Sequence, residues 1–134
     1  MDGLAKMAWV ALGAALGGPA RFFVSGFVAR RLGETFPWGT LIVNISGCFA
    51  IGVIAALAAG GGPLGTPSAW LFFVTGVLGA YTTVSSFSLQ TLALARDREL
   101  QGALAYIALS LALCVGAAAL GFSIVALAGS LGDK

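Results

Sequence analysis

A cluster of hydroxyl side chains lies inside an apolar stretch of the chain, at residues 76–91 (GVLGAYTTVSSFSLQT). Hydrocarbon offers such groups no hydrogen-bonding partner, so at that depth they must bind one another, water or an ion. Two further polar side chains, Arg21 and Asn44, occur in other apolar stretches. Amides, hydroxyls and a guanidinium are hydrogen-bond donors, and such a set favours the binding of a small anion.

The second apolar stretch carries its polar groups on one face. Thr40 and Asn44 are four residues apart, and Gly47 and Cys48 continue the same helical stripe. Two roles are open for Asn44, namely hydrogen bonding between packed helices and the lining of an ion path. Two roles are also open for Arg21: its side chain either lines a water-filled vestibule or snorkels to the membrane interface.

Several residue types are absent from the apolar stretches, and their absence excludes whole classes of function. These stretches contain no Asp, Glu or His, which excludes a proton relay and carboxylate-coupled cation transport. Binding of a small anion asks no residue to change its protonation state or to form a covalent bond, so we do not expect an enzyme. The net charge of +2 is dispersed, whereas nucleic-acid binding needs a clustered basic face. Cys48 and Cys114 fall in apolar runs and are interpreted as small buried hydrophobic residues.

The amino-acid composition indicates that membrane-spanning helices position these polar side chains. Of the 134 residues, 59% are hydrophobic and 9% charged, against roughly 25% charged in soluble domains, so the lipid bilayer is the expected environment. Runs of spanning length predict one all-α domain over residues 1–134, with four transmembrane helices at about 7–29, 38–59, 69–95 and 100–131. A cleaved signal peptide is the alternative for the first run, but Arg21 and the apolar residues behind it favour a retained helix.

The third predicted span has a poor sequence for a continuous helix. Gly76 and Gly79 are weak helix formers, and three β-branched residues follow at positions 82–84. A break is therefore expected near residues 79–83, close to the middle of the bilayer. In broken membrane helices the freed carbonyls bind cations and the half-helix N-terminus favours anions.

Three motifs carry a family resemblance: GAALGGPARF (13–22), PWGTLIVNISG (37–47) and GVLGAYTTVSSFS (76–88). In this order and spacing the chain resembles the Fluc (CrcB-like) fluoride channels of bacteria. The resemblance implies a passive, fluoride-selective channel that exports cytoplasmic fluoride across the bacterial plasma (inner) membrane. It also implies dual topology, in which a second, inverted copy completes an antiparallel homodimer with two pores.

The resemblance also implies roles for individual residues. The fluoride pore would be lined by Arg21, Thr40, Asn44, Ser85, Ser86, Phe87, Ser88, Tyr106 and Ser110. The backbone carbonyls of Gly79 and Thr82 from both copies would hold one structural Na⁺. The chain departs from the family pattern at Val84, where the family has a Phe whose ring edge faces the pore. A homodimer would lack that contact, unless a sister subunit supplies it.

The placement of charged residues bears on how the chain inserts. Lys6 and Lys134 belong to one side of the membrane and four arginines to the other, Arg30, Arg31, Arg96 and Arg98. This bias of two charges is small, so dual insertion is favoured, with a fixed-orientation subunit of a heterodimer as the alternative. A noncatalytic helper subunit is a further alternative. A small multidrug exporter is disfavoured because it would need a membrane carboxylate.

Overall fold

The computed structural model describes residues 2–132, which form helices joined by short loops. Four helical stretches are long and apolar enough to span a membrane: Gly3–Leu32, Trp38–Ala59, Pro67–Arg96 and Leu100–Leu131. The prediction of an all-helical protein with four membrane spans is confirmed. The chain is a multi-pass membrane protein, and most of its outward side chains are apolar. Lys134, used above in the comparison of charges, lies outside the described residues.

The first two spans are continuous helices, α1 (Gly3–Leu32) and α2 (Trp38–Ala59). Helix α1 begins four residues before the predicted span. The Asp2 carboxylate accepts a hydrogen bond from the Ala5 N–H at 2.9 Å and caps the helix there. Helix α1 ends at Leu32, and the C-cap residue Gly33 has a φ of 85°, which suits a residue without a side chain.

The third span consists of four consecutive segments: α3 (Pro67–Trp70), a π-helical segment (Leu71–Leu78), α4 (Gly79–Tyr81) and α5 (Val84–Arg96). Thr82 and Thr83 lie between α4 and α5 with extended backbone, at φ/ψ of −77°/159° and −152°/122°. A short link that includes Arg98, at a φ of 62°, leads to α6 (Leu100–Gly132).

Glycines allow the helices to approach closely. A side chain on Gly13 or Gly17 of α1 would collide with backbone of the third span, at Phe72 and Val77 respectively. A side chain on Gly52 of α2 would collide with the Ala118 carbonyl of α6. Small residues permit such contacts in membranes, where packing replaces the hydrophobic effect as the force between helices.

Helices α2 and α6 run in the same direction and pack against each other. Leu41 and Tyr106 share a buried cluster near one end, and Gly52 lies against Ala118 further along. Gly121 of α6 likewise lies against the Phe49 carbonyl of α2. The two helices therefore contact each other over much of the length of α2.

Candidate functional site

The extended residue Thr83 is held by Asn44 of α2. The Asn44 Nδ2 donates to the Thr83 carbonyl at 2.9 Å, and the Thr83 N–H donates to Asn44 Oδ1 at 2.8 Å. In a continuous helix that N–H would bond to the Gly79 carbonyl four residues earlier. The Gly79 carbonyl is thus released from that helical bond, and the Asn44 amide satisfies both backbone groups of Thr83.

The Thr83 hydroxyl caps the helix that follows. Its Oγ1 accepts a hydrogen bond from the Ser86 N–H at 3.1 Å and lies 3.1 Å and 3.2 Å from the hydroxyls of Ser85 and Ser86. Helix α5 therefore begins inside the span with a formed N-cap. The N-terminus of a helix carries partial positive charge, so this end of α5 favours a negative ligand.

A polar crevice lies between α1, α2 and the start of α5, with a volume of about 290 Å³. Its lining is Gly18, Arg21, Phe22, Ser25, Thr40, Val43, Thr83, Ser85 and Ser86. Arg21 also reaches the interruption in the third span, since its Nη1 donates to the Thr82 carbonyl at 3.4 Å. One guanidinium, several hydroxyls and a helix N-terminus meet here, and no carboxylate of residues 2–132 lines the crevice, so it is electropositive.

The crevice leads toward the loops through a wider vestibule of about 510 Å³. The two cavities share Ser25, Thr40 and Ser86 in their linings. At its outer end the vestibule is lined by two acidic residues, Glu34 and Asp97. The vestibule and the crevice are thus neighbouring cavities that lie between the loop side of the protein and the middle of the third span.

On the other side of Thr83 lies an apolar cleft of about 480 Å³ between α2, the third span and α6. Its lining includes Asn44, Gly47, Cys48, Gly79, Thr82, Thr83, Val84, Phe87, Ser110, Cys114 and Val115. Thr83 belongs to the linings of both the cleft and the crevice. Among the described residues, the buried Ser110 hydroxyl has no hydrogen-bond partner.

Tyr106 is fully buried, with 0% of its surface exposed. Its hydroxyl donates to Gln90 Oε1 at 3.0 Å, and its ring lies 5.1 Å from that of Phe87. Gln90 also lines the vestibule. Tyr106 therefore lines neither the crevice nor the cleft, and it contacts Phe87 and Gln90 from the core.

The structure gathers most of the predicted site residues around Thr83. Arg21, Thr40, Ser85 and Ser86 line the crevice, while Asn44, Gly79, Thr82, Phe87 and Ser110 line the cleft. Ser88 is set apart, because it is exposed, lines neither cavity and donates its hydroxyl to the Val84 carbonyl at 2.9 Å.

Two residues of this site did not emerge from the sequence analysis as site residues, Thr83 and Gln90. The sequence contains one indication that Gln90 belongs to the site, since its side chain is a carboxamide in an apolar run. Thr83 lay at the end of the expected break, but nothing local distinguished it from Thr82.

Comparison with known proteins decides the family. The sequence model of the family described as "CrcB-like protein, Camphor Resistance (CrcB)" matches residues 8–122. The chain belongs to this CrcB family. Membership confirms the family resemblance read from the three motifs.

Relatives within the CrcB family are similar over most of their length. A protein of Rhodopseudomonas palustris named "Fluoride-specific ion channel FluC 2" is 64% identical over 116 residues, which are 86% of this chain and 88% of the relative. One of Bradyrhizobium diazoefficiens with the same name is 57% identical over 114 residues, 84% and 83% of the two chains. "Fluoride-specific ion channel FluC 4" of Brucella abortus is 52% identical over 114 residues, 84% and 86%. Because CrcB relatives are named as channels, the expectation that this chain is not an enzyme is confirmed.

Proposed function

We propose that the protein is a passive fluoride channel of a bacterial plasma membrane that lets cytoplasmic fluoride leave the cell. The names of its relatives support the choice of ion. The observation that carries the proposal is the start of α5 inside the third span, where its N-terminus and Arg21 face one crevice. An anion there meets positive charge and hydroxyl donors, and no described Asp or Glu lies in the crevice or the cleft.

The proposed path runs from the vestibule through the crevice and past Thr83 to the apolar cleft. Fluoride is small and strongly hydrated, so the path must replace its water with close donors. Arg21, Thr40, Ser85 and Ser86 supply these donors in the crevice, and the amide of Asn44 lies at the passage to the cleft. In the cleft, the electropositive ring edge of Phe87 and the free hydroxyl of Ser110 continue the track.

The complete channel is proposed to be an antiparallel dimer with two pores. The apolar cleft is open, and Val84 at its edge is 77% exposed. A second, inverted copy would cover this face and complete the lining of each path. Crossing is passive, because several moderate sites hold the ion and no side chain changes its protonation.

A structural Na⁺ at the dimer centre fits the chemistry of the donors. The carbonyl of Gly79 is freed by the Asn44–Thr83 bonds, and Gly79 and Thr82 line the same cleft. Main-chain carbonyl oxygens suit a hard cation. The Thr82 carbonyl also accepts from Arg21, but at 3.4 Å this bond is at the limit of hydrogen-bonding distance. Two such pairs from two copies would give four oxygens, which would hold the subunits together.

A heterodimer is the second candidate, and Val84 favours it. Its exposed side chain stands at the position of a pore-facing Phe in the family pattern, and it has no aromatic ring to offer an anion. A sister subunit with that Phe would restore the missing contact in one of the two pores.

Efflux from liposomes tests the proposal. The purified protein is reconstituted with potassium fluoride or potassium chloride inside, and a potassium carrier is added so that anion exit is electrically balanced. We expect rapid fluoride release, little chloride release, and no need for a proton gradient. Equal release of both ions, or release only with a proton gradient, would refute a fluoride channel. If the pure protein releases no fluoride and release appears when a sister subunit is reconstituted with it, the heterodimer is supported.

A further inference from the structure

The outer face of α1 carries two aromatic rings and one guanidinium near the loop end of the helix. Phe23, Phe27 and Arg31 follow one another at intervals of four residues and therefore share one face of α1. Phe23 is 68% exposed and Phe27 is 45% exposed, and Arg31 is exposed as well. None of these three residues is in the lining of the vestibule, the crevice or the cleft. This face therefore lies outside the proposed ion path.

The three side chains are held against one another. The rings of Phe23 and Phe27 stack, with their centroids 6.5 Å apart and their planes inclined by 16°. The guanidinium carbon of Arg31 lies over the Phe27 ring, 5.2 Å from its centroid, which is within the range of a cation–π interaction. The Arg31 side chain is thus folded back along α1 by about one turn. The contact with Phe27 orients the guanidinium but leaves its positive charge unneutralised.

The guanidinium lies at the depth of the lipid headgroups. Arg31 is the second-last residue of α1, and α2 begins at Trp38, which is 36% exposed. Tryptophan is enriched at the boundary between membrane and water, so this end of α1 lies at that boundary. Phe23 is eight residues earlier, about 12 Å deeper along the helix. The face therefore presents a cation to the headgroups and an aromatic surface to the acyl chains.

We propose that Phe23, Phe27 and Arg31 form a binding site for one anionic phospholipid of the phosphatidylglycerol class. The lipid phosphate binds the guanidinium of Arg31, whose planar set of N–H donors matches two phosphate oxygens. One acyl chain lies along the two stacked rings. The site depends only on these three side chains and stands whether or not the protein conducts fluoride.

Charge favours an anionic lipid over a zwitterionic one. Glu34 is the acidic residue nearest to Arg31 in the sequence, and it lines the vestibule, so its carboxylate does not offset the positive charge on this face. The ammonium group of phosphatidylethanolamine is repelled by the guanidinium and competes with it for the lipid phosphate. Phosphatidylglycerol has no such group and carries a net negative charge.

The lipid site and the proposed contact between subunits use different surfaces. The cleft that a second copy is proposed to cover lies between α2, the third span and α6. The lipid site is on α1, and its three residues are outside that cleft. A dimer that covers the cleft therefore leaves this face of α1 to the lipid.

The test is native mass spectrometry of the purified full-length protein in a neutral detergent. The protein is titrated separately with phosphatidylglycerol and phosphatidylethanolamine that have identical acyl chains. We expect one tightly bound phosphatidylglycerol per chain, and phosphatidylethanolamine bound about fivefold more weakly. Arg31→Gln should weaken phosphatidylglycerol binding about tenfold, because the charged hydrogen-bond donors are lost. Phe27→Leu should weaken it several-fold, because the ring that orients the guanidinium is lost.

Thermal unfolding in the same detergent is a second readout. A ligand that binds the native state raises the unfolding temperature. Added phosphatidylglycerol should therefore stabilise the unmodified protein more than it stabilises Arg31→Gln.

Arg30→Gln is the matched control, since it removes the same charge from the adjacent position of α1. Position 30 is about 100° around the helix from position 31, and the Arg30 guanidinium lies beside Gly26, a residue of the vestibule lining. This variant should bind phosphatidylglycerol within about twofold of the unmodified protein, because a single exposed charge contributes little.

Four results would overturn the proposal. Equal weakening by Arg31→Gln and Arg30→Gln would mean a diffuse attraction between charges, and equal binding of the two lipids would mean that charge does not select the occupant. Displacement of the lipid by inorganic phosphate would mean a site for the free ion. Lipid binding by the monomer but not by the dimer would mean that a second copy covers this face.

Discussion

Asn44 binds both backbone polar groups of Thr83, donating from Nδ2 at 2.9 Å and accepting at Oδ1 at 2.8 Å. A carboxamide is the side-chain group that offers a donor and an acceptor at this spacing. Of the two roles left open by the sequence, hydrogen bonding between packed helices is observed, and the lining of an ion path stays a prediction. Its bonds stabilise the interruption in the third span, and its position at the cleft puts it beside the proposed ion path.

Replacing Asn44 by Asp should slow fluoride efflux at least tenfold. The change removes the donor to the Thr83 carbonyl and leaves a carboxylate facing that oxygen, beside a path for anions. Loss of a buried hydrogen-bond partner also costs about 1–3 kcal/mol of folding free energy. Initial efflux rates and thermal unfolding of the variant measure both effects. Ser46→Ala on the same helix is the control, and efflux equal to that of the control would remove Asn44 from the path.

Ser110→Ala separates a conduction role from a structural one. The buried hydroxyl has no partner among the described residues, so its removal should leave the unfolding temperature unchanged or raise it. If the hydroxyl serves passing fluoride, efflux should nevertheless fall several-fold. A drop in thermal stability together with normal efflux would contradict the assignment of Ser110 to the path.

Val84→Phe should increase fluoride efflux. The side chain of Val84 is 77% exposed at the edge of the cleft, so a ring can be added there without displacing buried neighbours. Its electropositive edge would supply an anion contact that Val lacks. Val115→Phe is the matched control, since Val115 is also exposed in this cleft but lies on α6. Slower efflux from Val84→Phe than from the control would mean that local packing is adapted to valine.

Neutralising the acidic residues of the vestibule should speed anion entry at low ionic strength. Glu34 and Asp97 line the vestibule, and their charge opposes the approach of fluoride. We expect Glu34→Gln/Asp97→Asn to raise initial efflux a few-fold in dilute buffer. The gain should vanish near 1 M salt, where the screening length falls to about 3 Å. Glu99→Gln, outside the vestibule lining, is the control and should change little; a gain that persists at high salt would argue against a charge effect.

Much of the fold could be predicted from the sequence. The second span was predicted at residues 38–59 and is observed as Trp38–Ala59. The prediction is accurate because the apolar run ends abruptly at loop residues on both sides. The first span was placed too short, since hydropathy stops near Met7 whereas the helix continues to the cap at Asp2. The π-helical segment Leu71–Leu78 was not expected, and its local composition contains no signal for it.

The sequence by itself determined the number of membrane spans, the positions of the loops and the exclusion of carboxylate-based transport. Each of these depends only on the composition of a local stretch of chain. The pairing of distant polar groups was decided by the tertiary structure. Asn44 meets Thr83 across 39 residues of chain, and Arg21 meets Thr82 across 61. Such contacts between distant residues depend on how each helix is rotated about its own axis and on how closely it packs against its neighbours. Contacts such as that between Gly52 and Ala118 set this packing, since only a residue without a side chain admits the neighbouring backbone.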